Sequence, residues 1–286
     1  MTQVDACFHG RGATELVTRP ILGDESRMGA ASGTKVAIDT SRHGWRALVT
    51  RPRAEAEELA EALASRGIAA IIEPLLDIRY TSEPAPDLAG VQAVLCTSAN
   101  GVRALARVCD DRAVSILAVG EATAARARGE GFARVESAGG TVGDLVRLVG
   151  ERLRPAGGRL LHVAGSVVAG DLAGELRARG FAVERSVLYE ARPVSRLSAP
   201  TVRALAAGIV DFALFFSPRT AAIFARLVDG ALIAEAMRFV SAISISAAAD
   251  AALQPLCFRD RQIADRPDQP GLLDRLDGLL AERRRA

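Results

Sequence analysis

Three segments of this chain recur in the same order, and this ordered repetition limits the possible folds more than any other feature of the sequence. At an offset of 113 residues, LVTRPRAEAEELAEALASRGIAA lies over LHVAGSVVAGDLAGELRARGFAV. Leu59 then meets Leu172, Leu63 meets Leu176, and Arg66-Gly67 meets Arg179-Gly180. At an offset of 119, VLCTSANGVRALARV lies over ALFFSPRTAAIFARL, with Ser98 on Ser217 and Arg107 on Arg226. A looser match sets AVGEATAA (118–125) over AISISAAA (242–249) at an offset of 124. Nearly constant offsets in a fixed order imply a duplicated unit. A chain of 286 residues is long enough for two domains that each close a core.

The local grammar identifies the unit. Short apolar runs at 46–50, 68–72, 91–97, 114–119, 159–164, 181–189, 209–216 and 238–243 read as strands, and helical patterns lie between most of them. Pro52 suits the first turn of a helix, and Arg66-Gly67 suits its end. Strands alternating with helices predict α/β architecture: two similar doubly wound parallel-sheet domains. Residues 1–45 are rich in Gly and Ser and lack sustained periodicity, so they read as a disordered or poorly packed extension. Two threadings fit the repeat. One divides the chain in tandem near 154–158; the other leaves the first domain, builds the second and returns. Asp77–Pro86 and Tyr189–Pro193 are natural crossing points for the return path and would form a paired-strand hinge.

Several chemistries are excluded. Lys35 is the only lysine and lies in the extension, which removes Schiff-base, pyridoxal-phosphate and P-loop lysines. Cys7, Cys96, Cys109 and Cys257 form no CxxC pair, and His9, His43 and His162 have no metal-ligand spacing, so no metal or cofactor is expected. His162 lies within a strand and reads as a core histidine rather than a base. A net charge of +2 argues against nucleic acid as a partner, and Arg283-Arg284-Arg285 reads as a solvated helix end. No apolar run approaches the ~18 residues of a membrane span, and residues 1–45 lack a secretory apolar core. A cytoplasmic protein is the expectation.

What remains is a recurring junction: a strand ending in small hydroxyl or glycine residues, followed at once by a helix. It occurs at Thr97-Ser98, Gly120 through Thr123, Gly165-Ser166, Ser217-Pro218 and Ser244 through Ser246. Open α/β sheets bind ligands at such strand ends, where free N–H groups and the helix dipole favour anions. Each hydroxyl is also an ordinary N-cap, so the argument rests on five junctions facing one cleft. GSVVAG (165–170) has the wrong spacing for a dinucleotide loop, and no G-x-S-x-G elbow occurs. Tyr80 and Tyr189, the only tyrosines, both fall at the proposed crossings, where a phenol could reach the cleft.

LVTRPRAEAEELAEALASRG followed by PLLDI, then LCTSANGVRALA, AVGEATAAR, LLHVAG, LRARGFAVERSVLYEARP and FFSPRTAAIFARL together resemble the uroporphyrinogen-III synthase family, from Arg46 to about Leu280. The resemblance implies two α/β domains joined by a two-stranded hinge, the first discontinuous: 46–77 plus 193–286, and 81–188. It implies a monomeric, cofactor-free enzyme acting on hydroxymethylbilane, with transient handover from the preceding deaminase. The linear tetrapyrrole would lose its hydroxyl as water and close through a spiro intermediate that inverts ring D. The resemblance matches Tyr189 to the family tyrosine that assists hydroxyl departure. It matches Ser98, Thr123, Ser217 and Ser246 to hydroxyl positions that bind substrate, and Arg51 to a carboxylate-binding arginine. Ala247 stands where one further hydroxyl is expected, and Asn100 where some relatives carry arginine. An alternative is a noncatalytic ligand-binding or regulatory relative with the same fold.

Overall fold

The computed structural model describes residues 44–82, 84–167, 170–231 and 233–285. Most of the expected extension, residues 1–43, lies outside the described residues. The chain opens with β1 (Arg46–Val49), α1 (Arg53–Ala64), β2 (Ala69–Ile72) and β3 (Leu76–Tyr80). It continues through β4 (Val91–Cys96), α2 (Ala99–Val108), β5 (Ser115–Ala118), α3 (Glu121–Gly129), β6 (Arg134–Ser137) and α4 (Val142–Arg152). Then come β7 (Arg159–Gly165), α5 (Leu172–Ala178), β8 (Val183–Pro193), α6 (Ala199–Ala206), β9 (Phe212–Phe215) and α7 (Pro218–Gly230). β10 (Ser241–Ser244), α8 (Ala247–Ala251), β11 (Asp260–Ile263) and α9 (Gln269–Arg285) complete it.

These elements form two α/β lobes with parallel sheets, the expected class. One sheet has the order β11-β10-β9-β1-β2 and is parallel throughout. The other has the order β3-β8-β7-β4-β5-β6 and is parallel except for β3, which runs antiparallel to β8. The strands read as continuous apolar runs because helices bury both faces of each sheet. Ala47 and Val49 of β1 enter the cluster beneath α1 and α9, while Leu48 between them enters the cluster beneath α6 and α7. In the second lobe Val94 and Cys96 face α2 and α3, whereas Ala93 and Leu95 face α4 and α5.

The repeat reappears as matching positions in the two sheets. Under the offsets β1 corresponds to β7, β4 to β9 and β5 to β10, and the matched strands occupy equivalent places in the two sheet orders. Each sheet nevertheless draws from both copies. The five-stranded sheet takes β1 and β2 from the first copy and β9 to β11 from the second; the other sheet takes the complementary set.

The stretches read as crossings that would pair do so over part of their length, as β3 against β8 with Asp77 opposite Arg192 and Tyr80 opposite Tyr189. Two strands exceed the expectation: β6 and β11 are edge strands of sequence RVES and DRQI. Edge strands cover fewer apolar neighbours, so they lack the buried run that reveals central strands. Trp45, assigned to the extension, packs on Phe212 with ring centroids 5.7 Å apart. The basic C-terminal run also departs from a fully solvated helix end. The Arg283 side chain is only 11% exposed, lies over the Phe212 ring at 4.6 Å and hydrogen-bonds Ser241. Burial of Trp45 and Phe212 needs a lid on that side, and the Arg283 stem and guanidinium provide it.

Candidate functional site

The lobes touch where the first turns of α1 lie against α2 and α3, through Arg103 with Glu55 and Arg126 with Glu58, and Tyr189, bonded to the cap of α2, is the best-defined group beside that contact. In a regular strand Leu188 and Tyr189 would face opposite ways. The β7·β8 register slips between Ala164 and Gly165, so that Gly165 opposes Tyr189 rather than Leu188. Both side chains consequently enter the same cluster beneath α2. A bulge that re-aims one side chain in this way is a recurrent device beside active sites. The ring then lies against Gly165, where an added Cβ would sit 2.9 Å from Cε2 and Cζ.

The phenol oxygen is 2.8 Å from Ser98 Oγ, and that same serine oxygen accepts the Gly101 N–H at 3.1 Å as the N-cap of α2. Two expected site residues are thus joined directly, with the serine held by the helix it caps. Burial pushes the Tyr189 phenol above its ordinary range, with buried Cys96 and Glu55 adding to the shift; the Ser98 bond and Arg219 oppose it. A phenol of raised pKa stays protonated near neutral pH. It can therefore donate a hydrogen bond or a proton.

The other expected residues take up separate positions. Ser217 caps α7 by accepting the Thr220 N–H at 3.1 Å, and Ser246 caps α8 by accepting the Ala249 N–H at 3.3 Å. Thr123 lies buried in the first turn of α3, whose N-cap is Gly120. Among the described residues no hydrogen bond joins Thr123 or Ser246 to the other expected residues. Arg51 follows β1, donates to Gln269 Oε1 at 2.8 Å and lies 4.4 Å from the centroid of the Phe216 ring, beside the Ser217 junction. Burial draws its pKa down, against the pull of Glu55 and Glu58.

Residues not singled out by sequence join the lobes. Arg103 of α2 pairs with Glu55 of α1, and Arg126 of α3 pairs with Glu58 of α1. Arg219 of α7 donates to the Ala191 carbonyl on β8 at 2.8 Å; Arg107, by contrast, lies 4.5 Å over the Tyr80 ring within the lobe of the six-stranded sheet. In a chain so rich in arginine, spacing alone does not separate these four from solvated ones. For Arg103 and Arg126, position five residues after Ser98 or three after Thr123 is the only available signal. Between α1, β3 and the start of α2 lies a cavity of about 440 Å³ whose wall includes Glu55, Asn100, Tyr80 and Ile78.

His162 is core, as read from sequence. It is 3% exposed, neither ring nitrogen has a partner, and burial with Arg185 nearby pushes its pKa down to about 4. Among the described residues no group of three or more His, Cys, Asp or Glu could hold a metal ion, and no helix is long and apolar enough to cross a membrane.

Residues 57–274 match the family model described as uroporphyrinogen-III synthase HemD. Among solved structures, uroporphyrinogen-III synthetase from Helicobacter pylori is similar at 17% identity and a TM-score of 0.55, over 82% of this chain and 99% of that one. A mutant uroporphyrinogen III synthase from the extremely thermophilic bacterium Thermus thermophilus matches at 20% identity and a TM-score of 0.49, over 84% and 100% of the two chains. No curated protein matches the sequence.

Proposed function

The chain belongs to the uroporphyrinogen-III synthase family, cyclising lyases of tetrapyrrole biosynthesis, and from that premise we propose how its cleft divides the work. Hydroxymethylbilane must lose its terminal hydroxyl as water and close with ring D inverted. Tyr189 is the group that assists the departure. Its protonated phenol donates to the leaving hydroxyl, which departs as water and leaves an azafulvene cation. That cation attacks the substituted carbon of ring D, the spiro intermediate fragments, and reclosure inverts the ring. The phenol regains a proton when the closing pyrrole loses its own. Ser98 holds the phenol in place, and the observation that carries this reading is the 2.8 Å bond between them.

The remaining residues grip the substrate. Its eight carboxylates suit a cleft lined by helix N-termini, where Ser98, Thr123, Ser217 and Ser246 stand in the first turns or at the caps. Three of these hydroxyls already accept a cap bond, so on this reading the neighbouring free N–H groups supply much of the contact at those helices. Arg51 adds a guanidinium for one carboxylate. Spontaneous closure gives the uninverted isomer, so the enzyme contributes mainly by holding a folded substrate conformation. The working unit in this proposal is a cytoplasmic monomer of two domains, 46–77 plus 193–286 and 81–188, receiving its substrate by transient handover from the deaminase.

The test couples the protein to a deaminase that makes hydroxymethylbilane and separates the uroporphyrin isomers after oxidation. Isomer III in excess supports the reading, and isomer I alone overturns it. Tyr189→Phe should lower turnover at least tenfold with an unchanged melting temperature, about the 1.4 kcal/mol of one lost transition-state contact. Unchanged turnover would remove the role given to the phenol.

A further inference from the structure

We propose that Glu55 and Glu58 hold the cleft shut by occupying Arg103 and Arg126, two guanidinium groups that receive substrate carboxylates once the lobes part. The inference rests on the function proposed above and names two specificity residues and an internal competitor for them.

The contacts run between lobes. Glu55 and Glu58 lie on α1 of one lobe, while Arg103 and Arg126 lie on α2 and α3 of the other. Glu55 pairs with Arg103, with side chains only 7% and 11% exposed, and Glu58 pairs with Arg126 while lying 3.5 Å from Arg103. Arg103 is further steadied by Asn100 Oδ1 at 3.3 Å.

The Glu55 carboxylate is poorly served. Its second oxygen, Oε2, is buried with no partner. A buried ion pair with an unmet acceptor recovers little of its desolvation, so it is weak as a stabilising contact and readily exchanged. Arg51 is close enough to sense Glu55, Glu58 and Arg103, and Glu130 lies 3.5 Å from Arg126, so three guanidinium groups face three carboxylates, two of which, Glu55 and Glu58, reach across from the other lobe.

Space points the same way. The cavity beside Glu55 and Asn100 measures about 440 Å³. Drug-sized ligands already take roughly 300–1,000 Å³, and a chain of four pyrroles with eight carboxylates is larger than most of them. Such a substrate overfills this cavity, and on the proposal α1 separates from α2 and α3 to admit it, which breaks these pairs. The freed Arg103 stands on the helix whose cap holds Tyr189, so a carboxylate bound there anchors the substrate near the phenol.

The probe is uroporphyrin III, an octacarboxylate whose own fluorescence reports binding without turnover. Removing the competitor in Glu55→Gln/Glu58→Gln should tighten its Kd about threefold or more. Removing a receiver in Arg103→Met should weaken it about tenfold, the loss of one charge-assisted contact. Small-angle scattering of the ligand-free proteins should show a larger radius of gyration for both variants than for the parent. If Arg103→Met folds poorly, Arg126→Met, at a more exposed position, carries the same expectation. Equal weakening in the Glu and Arg variants, or an unchanged radius of gyration in the Glu variant, overturns the proposal. Production of isomer I alone would overturn the function but leave this binding and scattering comparison readable.

Discussion

Gly165 decides whether Tyr189 can lie where it does. A methyl group at that position would meet the ring at 2.9 Å, so the ring must move from the place in which its phenol bonds Ser98. Gly165→Ala should cost about 1–3 kcal/mol of stability as overpacking. It should also reduce turnover, and adding Gly165→Ala to Tyr189→Phe should lower turnover little further. Steady-state kinetics of the double-mutant cycle would show this non-additivity. The position of Tyr189 at a crossing was legible in the sequence, whereas the role proposed for it came from the family resemblance. Gly165 was not legible in this role, since its importance comes from a register slip against a strand that begins eighteen residues later. His162 offers a separate residue-level test. Its folded pKa, near 4, lies below the ordinary 6.5, so the unfolded chain binds the extra proton. The stability contributed by the neutral imidazole is complete above about pH 6.5 and is lost as pH falls toward 4, by up to about 3 kcal/mol. Thermal midpoints of His162→Leu measured against the parent should diverge through that window, with the variant less acid-sensitive. Parallel curves would show that the ring finds solvent.

Caps and edges dominate at the scale of elements. Helix starts were legible because Ser, Thr and Asp before an amphipathic run carry a physical reason: Ser98, Ser198, Ser217 and Ser246 all accept an N3 backbone N–H. The same pattern limits what a hydroxyl at such a position reveals about substrate, since capping alone explains its presence. α4 provides a test of capping at residues given no substrate role. Thr141 and Asp144 form a reciprocal capping box, with Asp144 N–H on Thr141 Oγ1 at 3.1 Å and Thr141 N–H on Asp144 Oδ2 at 3.1 Å. Thr141→Ala should lower stability by about 1 kcal/mol without altering the ratio of isomers formed, as denaturant titration and product analysis would show. Strand recognition failed where burial is one-sided. RVES and DRQI lie at sheet edges and offer no apolar run. Their place after the third repeated segment of each copy was the remaining clue, but the repeat had already weakened there.

At the scale of the molecule, the ordered repeat predicted two similar sheets but not which strands share one. A tandem division would keep each copy together, whereas the observed sheets pair β4 with β7 and β1 with β9. The distinction is invisible to periodicity, because both threadings have the same local grammar. Fragments separate them experimentally. Residues 81–188 contain β4 to β7 and, apart from Tyr189, the portion of β8 that pairs with β7, so this fragment should unfold cooperatively on its own by circular dichroism. Residues 46–155 should not, since β4 lacks β7 and β1 lacks β9. Cooperative unfolding of the second fragment would contradict the pairing. The crossed arrangement also orders events on the ribosome. The strand pair β1–β2 emerges first, yet its central neighbour β9 follows only after roughly 140 further residues, an interval of roughly 7–30 s at about 5–20 residues per second. Throughout that interval the inner lobe can mature while the earliest-made strands wait with one flank bare, making the nascent amino-terminal segment the natural client of a holding chaperone.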